Sequence, residues 1–122
     1  MKTILAAVAS LTLFSAAMYV SAVPETVNIP ESGVCVVEFN ASFNSANSVD
    51  WLDNLSDCKG RRIDIATNPD MQKEYKIVVV PTVIVFSDGK EVKRFQANIM
   101  MQLEANENDV QEAVNDVIMS SF

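Results

Sequence analysis

The sequence has no histidine, only two cysteines and three glycines, and 9 Lys and Arg against 16 Asp and Glu. Without histidine, the chain cannot contain a Ser-His-Asp hydrolase triad, a Cys-His protease pair or a histidine-ligated zinc site. A net charge of −7 lacks the basic footprint that nucleic acids and anionic membrane surfaces require. Its acidic groups lack the glycine-punctuated spacing of a calcium loop, so we predict neither a metal nor a cofactor.

The first 22 residues differ in composition from the rest. Lys2 is followed by an apolar run from Ile4 to Met18 and by the small residues Val20-Ser21-Ala22. This pattern predicts a secretory signal peptide over residues 1–22, with an uncleaved N-terminal anchor as the alternative. Cleavage would leave one domain over residues 23–122, secreted or periplasmic and not membrane-bound, with 8 bases and 16 acids.

The pattern of the remaining chain predicts an α/β domain with the order β-α-β-α-β-β-α. Strands are expected near residues 34–39, 61–66, 82–86 and 91–95, the last two joined by an Asp88-Gly89 turn, with Val92 and Lys93 on opposite faces. Helices are expected over 46–58, ended by Gly60, over 71–75, and over 107–119, where Asn108 and Gln111 form a capping box. A single small core follows from this order and length.

The segment Tyr75 to Val92 contains Val80-Pro81-Thr82 at the entry to a β-branched strand and a Phe86-x-x-Gly89 hairpin. It resembles the thioredoxin family, as do Asp64-x-x-x-Asn68-Pro69 and the strand Val36 to Ala41, and the likeness covers about residues 34–97. The resemblance implies a thioredoxin-like fold, with a central mixed sheet flanked by helices. It also implies that Pro81 is cis and that Glu38 occupies the place of a buried acid, here with a structural role.

The chain departs from the family where thioredoxins carry Trp-Cys-Gly-Pro-Cys, because it has Phe43-Asn44-Ser45-Ala46-Asn47 there. Thiol exchange needs a nucleophilic thiolate and a resolving thiol. Asparagine can cap a helix but cannot carry electrons. We therefore predict no catalytic residue at this loop.

The two cysteines, Cys35 and Cys58, are predicted to form a structural disulfide. An even number of cysteines in an exported chain favours a bridge. The helix expected over 46–58 would also return Cys58 to the end of the sheet where Cys35 begins. Two buried free thiols and a redox-active pair are the alternatives.

The resemblance implies that an extended peptide docks beside the loop before the cis-proline. In this chain the corresponding groove residues are Phe43, Asn44, Asn47, Val80, Pro81 and, in the apolar segment after Ala97, Met100. Apolar residues of that segment, Ile99, Met101 and Leu103, are alternatively a cover for the edge of the sheet.

These features predict an exported, redox-inactive module that binds an extended peptide or another protein. Two other functions stay open. One is a thiol-disulfide oxidoreductase that uses Cys35 and Cys58, and the other is a structural accessory subunit. The sequence does not identify the partner.

Overall fold

The structure is a computed structural model that describes residues 28–122. The predicted signal peptide, residues 1–22, lies outside the described residues. Among residues 28–122, no helix has the length and hydropathy needed to cross a bilayer. Within the same residues, no three acidic or cysteine side chains are grouped as metal ligands would be.

Four strands form one mixed sheet in the order β2-β1-β3-β4. Strand β1 spans Val34–Asn40, β2 Lys59–Asp64, β3 Thr82–Ser87 and β4 Lys90–Gln96. The central strand β1 is parallel to β2 and antiparallel to β3, and β3 is antiparallel to β4. The sheet and its helices confirm the predicted α/β fold class.

The sheet is covered on both faces. The short helix α1, Pro69–Glu74, and the adjoining Tyr75 cover one face, against a core cluster that includes Cys35, Phe39 and Phe86. The long helix α2, Glu107–Ser120, covers the other face. There its buried residues Val110 and Val114 pack against Val36, Val83 and Val85. Alternate residues of β1 and β3 therefore serve opposite cores, as the twofold periodicity of a strand requires.

The predicted helix over 46–58 is wrong. Two short 3-10 segments, Ser42–Asn47 and Leu52–Asn54, occupy the crossover between β1 and β2. Side chains of two strands form hydrogen bonds with both backbone groups of Val49. Glu38 accepts from its N–H at 2.7 Å, and Arg62 donates to its C=O at 2.7 Å. In a helix over residues 46–58 the Val49 C=O would accept from the N–H of Asp53, so its hydrogen bond with Arg62 competes with a regular helix at this position.

The sequence predicted that Gly60 ends a helix. In the structure Gly60 is instead a residue of β2. A Cβ built on Gly60 would lie 3.0 Å from the carbonyl oxygen of Leu52 and 3.1 Å from its Cγ. The buried Leu52 thus packs directly on the backbone of β2. The apolar crossover residues remain in the core, although their backbone is not helical.

The predicted capping box of α2 is displaced by two residues. Asn106 is the N-cap, and it shares reciprocal hydrogen bonds with Asp109, in which each side chain accepts from the other residue's backbone N–H. Gln111 instead bonds the backbone N–H and C=O of Ser56 and ties α2 to the crossover. The predicted inner stripe of this helix, by contrast, is confirmed by the packing of Val110, Ala113, Val114, Val117 and Ile118.

The hairpin between β3 and β4 forms at the predicted turn, where Asp88 and Gly89 have φ of +51° and +81°. Two positive φ values in succession define the type I′ turn that suits the twist of a hairpin. The ladder shifts register between Val85 and Phe86, which is a β-bulge in the facing strand. Val92 and Lys93 consequently line the same groove, and the prediction that they face opposite ways is wrong.

The predicted disulfide is absent from the structure, in which Cys35 and Cys58 are free thiols. Cys35 is buried in the core cluster on the α1 face, whereas Cys58 packs against the cluster on the α2 face. The two thiols thus pack in different core clusters, and the structure does not bond them to each other. Of the two arguments for the bridge, the helical crossover does not form, whereas the even number of cysteines in an exported chain is not affected.

Candidate functional site

Asn44 is the central residue of the loop that follows β1. Its side chain is buried, and its amide group donates to the carbonyl oxygen of Met101 at 3.1 Å, to that of Val80 at 3.4 Å, and to Asn40 Oδ1 at 3.2 Å. Its Oδ1 accepts a hydrogen bond of 2.8 Å from the amide group of Asn47. Asn44 therefore joins three segments that are distant in sequence: the 42–47 turn, the loop before Pro81 and the segment after Ala97.

Asn40 reinforces this network from the end of β1. Its amide group donates to the carbonyl oxygen of Asn44 at 3.1 Å and to the hydroxyl of Ser48 at 2.9 Å. The side-chain amides of Asn40 and Asn44 are thus hydrogen-bonded within the protein. At the place where the resemblance expects a reactive thiol, the structure has an inward-facing amide.

The loop before β3 has the backbone geometry that the resemblance implies, since the Val80–Pro81 peptide bond is cis. Thr82 Oγ1 donates to the carbonyl oxygen of Val79 at 2.7 Å, and the N–H of Ala97 donates to that of Pro81 at 3.1 Å. Both contacts fix the loop against the hairpin.

Beside this loop lies an open groove of about 380 Å³. Its lining contains no charged side chain and consists of Phe43, Ile65, Gln72, Ile77, Val78, Val79, Val80, Asn98, Ile99 and Met101. Four of these are large apolar side chains that face solvent: Phe43 (75% exposed), Val78 (78%), Ile99 (99%) and Met101 (41%). We call these four residues the apolar rim.

Of the six predicted groove residues, two line the groove and four do not. Phe43 and Val80 line the groove, and Met100 is exposed on the adjoining turn. Asn44 and Pro81 are buried, Asn47 is half-buried, and none of these three lines the groove. Val78 was not predicted as a groove residue, although it belongs to an apolar run that ends at a proline and lies outside any strand.

The turn that carries Ile99 is closed by hydrogen bonds at both ends. The N–H of Asn98 donates to the carbonyl oxygen of Gln102 at 3.0 Å, and Asn98 Oδ1 accepts from the N–H groups of Met100 and Gln102 at 2.9 and 3.1 Å. Met101 has a φ of +57°, in the left-handed region. The backbone of this turn is thus well defined while its apolar tip is exposed.

Glu38 lies behind the loop, with 1% of its surface exposed. Oε2 accepts from the N–H of Val49, and Oε1 lies 3.3 Å from Arg62 Nε but makes no hydrogen bond. Burial raises the pKa of Glu38, and the Val49 N–H and Arg62 oppose that rise. The contacts are structural, as the sequence predicted.

The two thiols show no sign of activation. Burial raises the pKa of Cys35, and burial together with the nearby Cys35 and Asp57 raises the pKa of Cys58. A reactive cysteine requires a lowered pKa and access to solvent, and Cys35 is 1% exposed.

The sequence comparisons give short matches. No protein-family model matches the chain. A 42-residue segment is 36% identical to the thioredoxin of Mycobacterium tuberculosis (strain ATCC 25618 / H37Rv), covering 34% of this chain and 36% of that protein. A 33-residue segment is 46% identical to the bifunctional thioredoxin reductase/thioredoxin of Mycobacterium leprae, covering 27% of this chain and 7% of that protein. The chain therefore matches only about a third or less of the length of these curated relatives.

Solved structures match most of the chain. A mutant thioredoxin from Halobacterium salinarum NRC-1 has a TM-score of 0.56 and 21% identity, over 70% of this chain and 74% of that one. Fasciola hepatica thioredoxin has a TM-score of 0.52 and 22% identity, over 70% and 83% of the two chains. Schistosoma mansoni thioredoxin has a TM-score of 0.52 and 18% identity, over 75% and 80%. The chain therefore has a thioredoxin-like fold.

Proposed function

We propose that this thioredoxin-like domain does not exchange thiols and instead binds an uncharged, apolar segment of a peptide or protein in the groove beside Pro81. The observation that carries the proposal is the apolar rim, in which four large apolar side chains surround one groove. Clustered exposed apolar side chains mark interaction sites in soluble proteins.

The contacts of Asn44 support the redox-inactive part of the proposal. A thiol at this position would have to reach a substrate disulfide, whereas the Asn44 side chain is 6% exposed and bonded to Val80 and Met101. Cys35 and Cys58 are no substitute, because their raised pKa values keep them protonated near neutral pH. The oxidoreductase alternative therefore has no activated thiol in the described residues.

The lining of the groove indicates the character of the ligand. Gln72 and Asn98 are its polar side chains, and the remaining lining is apolar. A charged ligand would lose hydration there without gaining an ion pair. An extended segment rich in Val, Leu or Phe would bury its side chains against the rim.

A titration monitored by NMR tests the binding. The probe is a capped eight-residue peptide of Val, Phe and Ser, added to ¹⁵N-labelled protein. We expect shifts confined to Phe43, Val78 and the 98–102 turn, and Phe43→Ser or Ile99→Ser to weaken binding at least about fivefold, equivalent to about 1 kcal/mol. The matched control is Met119→Ser, since Met119 is 72% exposed elsewhere. The proposal is wrong if millimolar peptide causes no shift or if the control loses as much affinity.

A second assay tests the absence of redox activity. The protein is added to dithiothreitol-driven reduction of insulin, with a Cys-x-x-Cys thioredoxin as the positive control. We expect the rate of buffer alone. A faster rate that disappears in Cys35→Ser or Cys58→Ser would restore the oxidoreductase alternative.

We also propose that the chain is exported. Lys2 and the apolar run from Ile4 to Met18 support a signal peptide. Mass spectrometry of the protein recovered outside the cytoplasm should give an N-terminus at Val23. Recovery of the chain only with Met1 intact would contradict export by cleavage.

A further inference from the structure

A second groove, of about 420 Å³, lies between the edge strand β4 and helix α2. Its apolar floor consists of Val92, Phe95, Ala113 and Val117. This groove is on the α2 face of the sheet, because Phe95 is paired with Val83 and both belong to that core. It is separate from the groove beside Pro81, and nothing below depends on the function proposed for that groove.

The β-bulge shapes this groove. In a regular strand, Val92 and Lys93 would point to opposite faces, but the register shift brings both to the α2 side. Val92 is left 46% exposed at the groove. An apolar side chain is thus turned toward a cavity instead of being covered by the core.

The helix side of the groove is acidic. Asp109, Glu112 and Asp116 follow one another at intervals of three and four residues, which places them on one face of α2. Within residues 28–122, the ion pairs involve only Arg62 and Arg94, so none of the three carboxylates is neutralised by a basic side chain. Asp109 is occupied by the capping box, which leaves Glu112 and Asp116 available.

The one base in this lining indicates what the groove accepts. The Nζ of Lys93 lies 5.7 Å from the centre of the Phe95 ring, a cation–π distance, beside the acidic wall. The groove of the free protein thus already places a cation over an aromatic ring. One lysine cannot balance three acids, so the groove retains negative charge.

We propose that this groove binds a basic amphipathic segment of another protein. One or two apolar side chains of that segment would rest on Val92 and Phe95. Its lysines or arginines would face Glu112 and Asp116. Charge complementarity selects this partner, because an acidic segment would be repelled by the same wall and a purely apolar one would leave the carboxylates desolvated and unpaired.

Binding of a defined peptide tests the proposal. The probe is a capped 14-residue peptide of Lys and Leu, with leucines at helical spacing, and its counterpart carries Glu in place of every Lys. Titrated into ¹⁵N-labelled protein, the basic peptide should shift resonances of residues 90–96 and 107–120. The acidic peptide should shift none.

Two charge-reversed variants separate the groove from general electrostatics. Glu112→Lys with Asp116→Lys should weaken the basic peptide at least about tenfold, which corresponds to about 1.4 kcal/mol. Asp50→Lys with Asp70→Lys makes the same change in net charge at exposed positions outside the groove, Asp70 being on α1 at the opposite face of the sheet, and should alter affinity less than about twofold. Val92→Ser should weaken binding without changing the charge.

Three outcomes would overturn the proposal. The first is an equal loss of affinity in both double variants, which would mean attraction to net charge alone. The second is a set of shifts at Phe43, Val78 and Ile99, which would place the peptide in the other groove. The third is no shift at millimolar peptide.

Discussion

The carboxylate of Glu38 and the N–H of Val49 are joined by a hydrogen bond of 2.7 Å, beneath a crossover that contains no α-helix. Arg62 completes the arrangement, since it donates to the carbonyl oxygen of Val49 and lies 3.3 Å from Glu38 Oε1. A buried carboxylate thus fixes the course of a backbone segment. Its ionisation must therefore influence the stability of the fold.

The stability contributed by Glu38 should depend on pH. Burial raises its pKa in the folded state, so the folded protein holds this proton more tightly than the unfolded chain does. The contribution is fully present below the ordinary glutamate pKa, about 4.3, and is lost as pH rises through the raised pKa.

Urea unfolding of wild type and Glu38→Gln between pH 4 and pH 8 measures this effect. The stability of wild type relative to the variant should fall as pH rises, because other carboxyl groups titrate alike in both proteins. A relative stability that rises with pH, or does not change, would contradict the assignment.

Asn44→Ala should destabilise the fold by about 1–3 kcal/mol, because the carbonyl oxygens of Met101 and Val80 lose their donor in a buried place. Asn47→Ala is the matched control. Its side chain is half-buried and makes one bond, to Asn44, so its loss should cost less than about 1 kcal/mol. Denaturant unfolding compares the two, and equal costs would show that Asn44 does not hold the segments together.

Gly60→Ala should also destabilise the protein, by about 1–3 kcal/mol, because the new methyl group would meet the backbone oxygen of Leu52 at 3.0 Å. Lys59→Ala, at the exposed neighbouring position, should change stability by no more than about 0.5 kcal/mol. The measurement is the urea midpoint with its slope. A neutral Gly60→Ala would mean that the crossover can move away from β2.

Both cysteines should react as thiols. When the protein is purified and denatured without a reductant, titration with a chromogenic disulfide reagent should count two thiols per chain. The native protein should react slowly, because Cys35 is buried, Cys58 is half-buried, and burial raises the pKa of both thiols. A count of zero before reduction would restore the disulfide that the sequence predicted.

Ile99→Ser should leave the free energy of unfolding within about 0.5 kcal/mol of wild type, since the side chain is 99% exposed. Leu103→Ala should cost more, because Leu103 packs against the core cluster on the α2 face. The comparison separates binding from core cover within one segment. If Ile99→Ser unfolds the protein, this residue belongs to the core and the apolar rim is wrong.

The hairpin and helix α2 were predictable because their signals are local. Asp88-Gly89 supports two positive φ values, and the stripe from Val110 to Ile118 has helical spacing. The crossover had helical spacing as well, at Val49, Leu52 and Leu55. It failed as a helix because Glu38 and Arg62, which lie on two different strands, capture the backbone of Val49.

The contacts of the candidate site were beyond local patterns. Asn44 meets Met101 across 57 positions, and only the folded chain shows that its amide faces inward. The bulge at Val92 depends on how β4 is paired with β3. The alternation of residues within β4 alone gives no information about that pairing. Phe43, in contrast, could be placed at the groove through the family resemblance alone.

The lack of charged side chains around the groove beside Pro81 has a consequence for how the domain would meet its partners. Association there would be nearly indifferent to ionic strength. Association at the acidic wall of Glu112 and Asp116 would slow as salt shortens the Debye length, from about 30 Å at 0.01 M to about 8 Å at 0.15 M. Raising the salt concentration would therefore weaken association at the acidic groove and leave association at the groove beside Pro81 nearly unchanged.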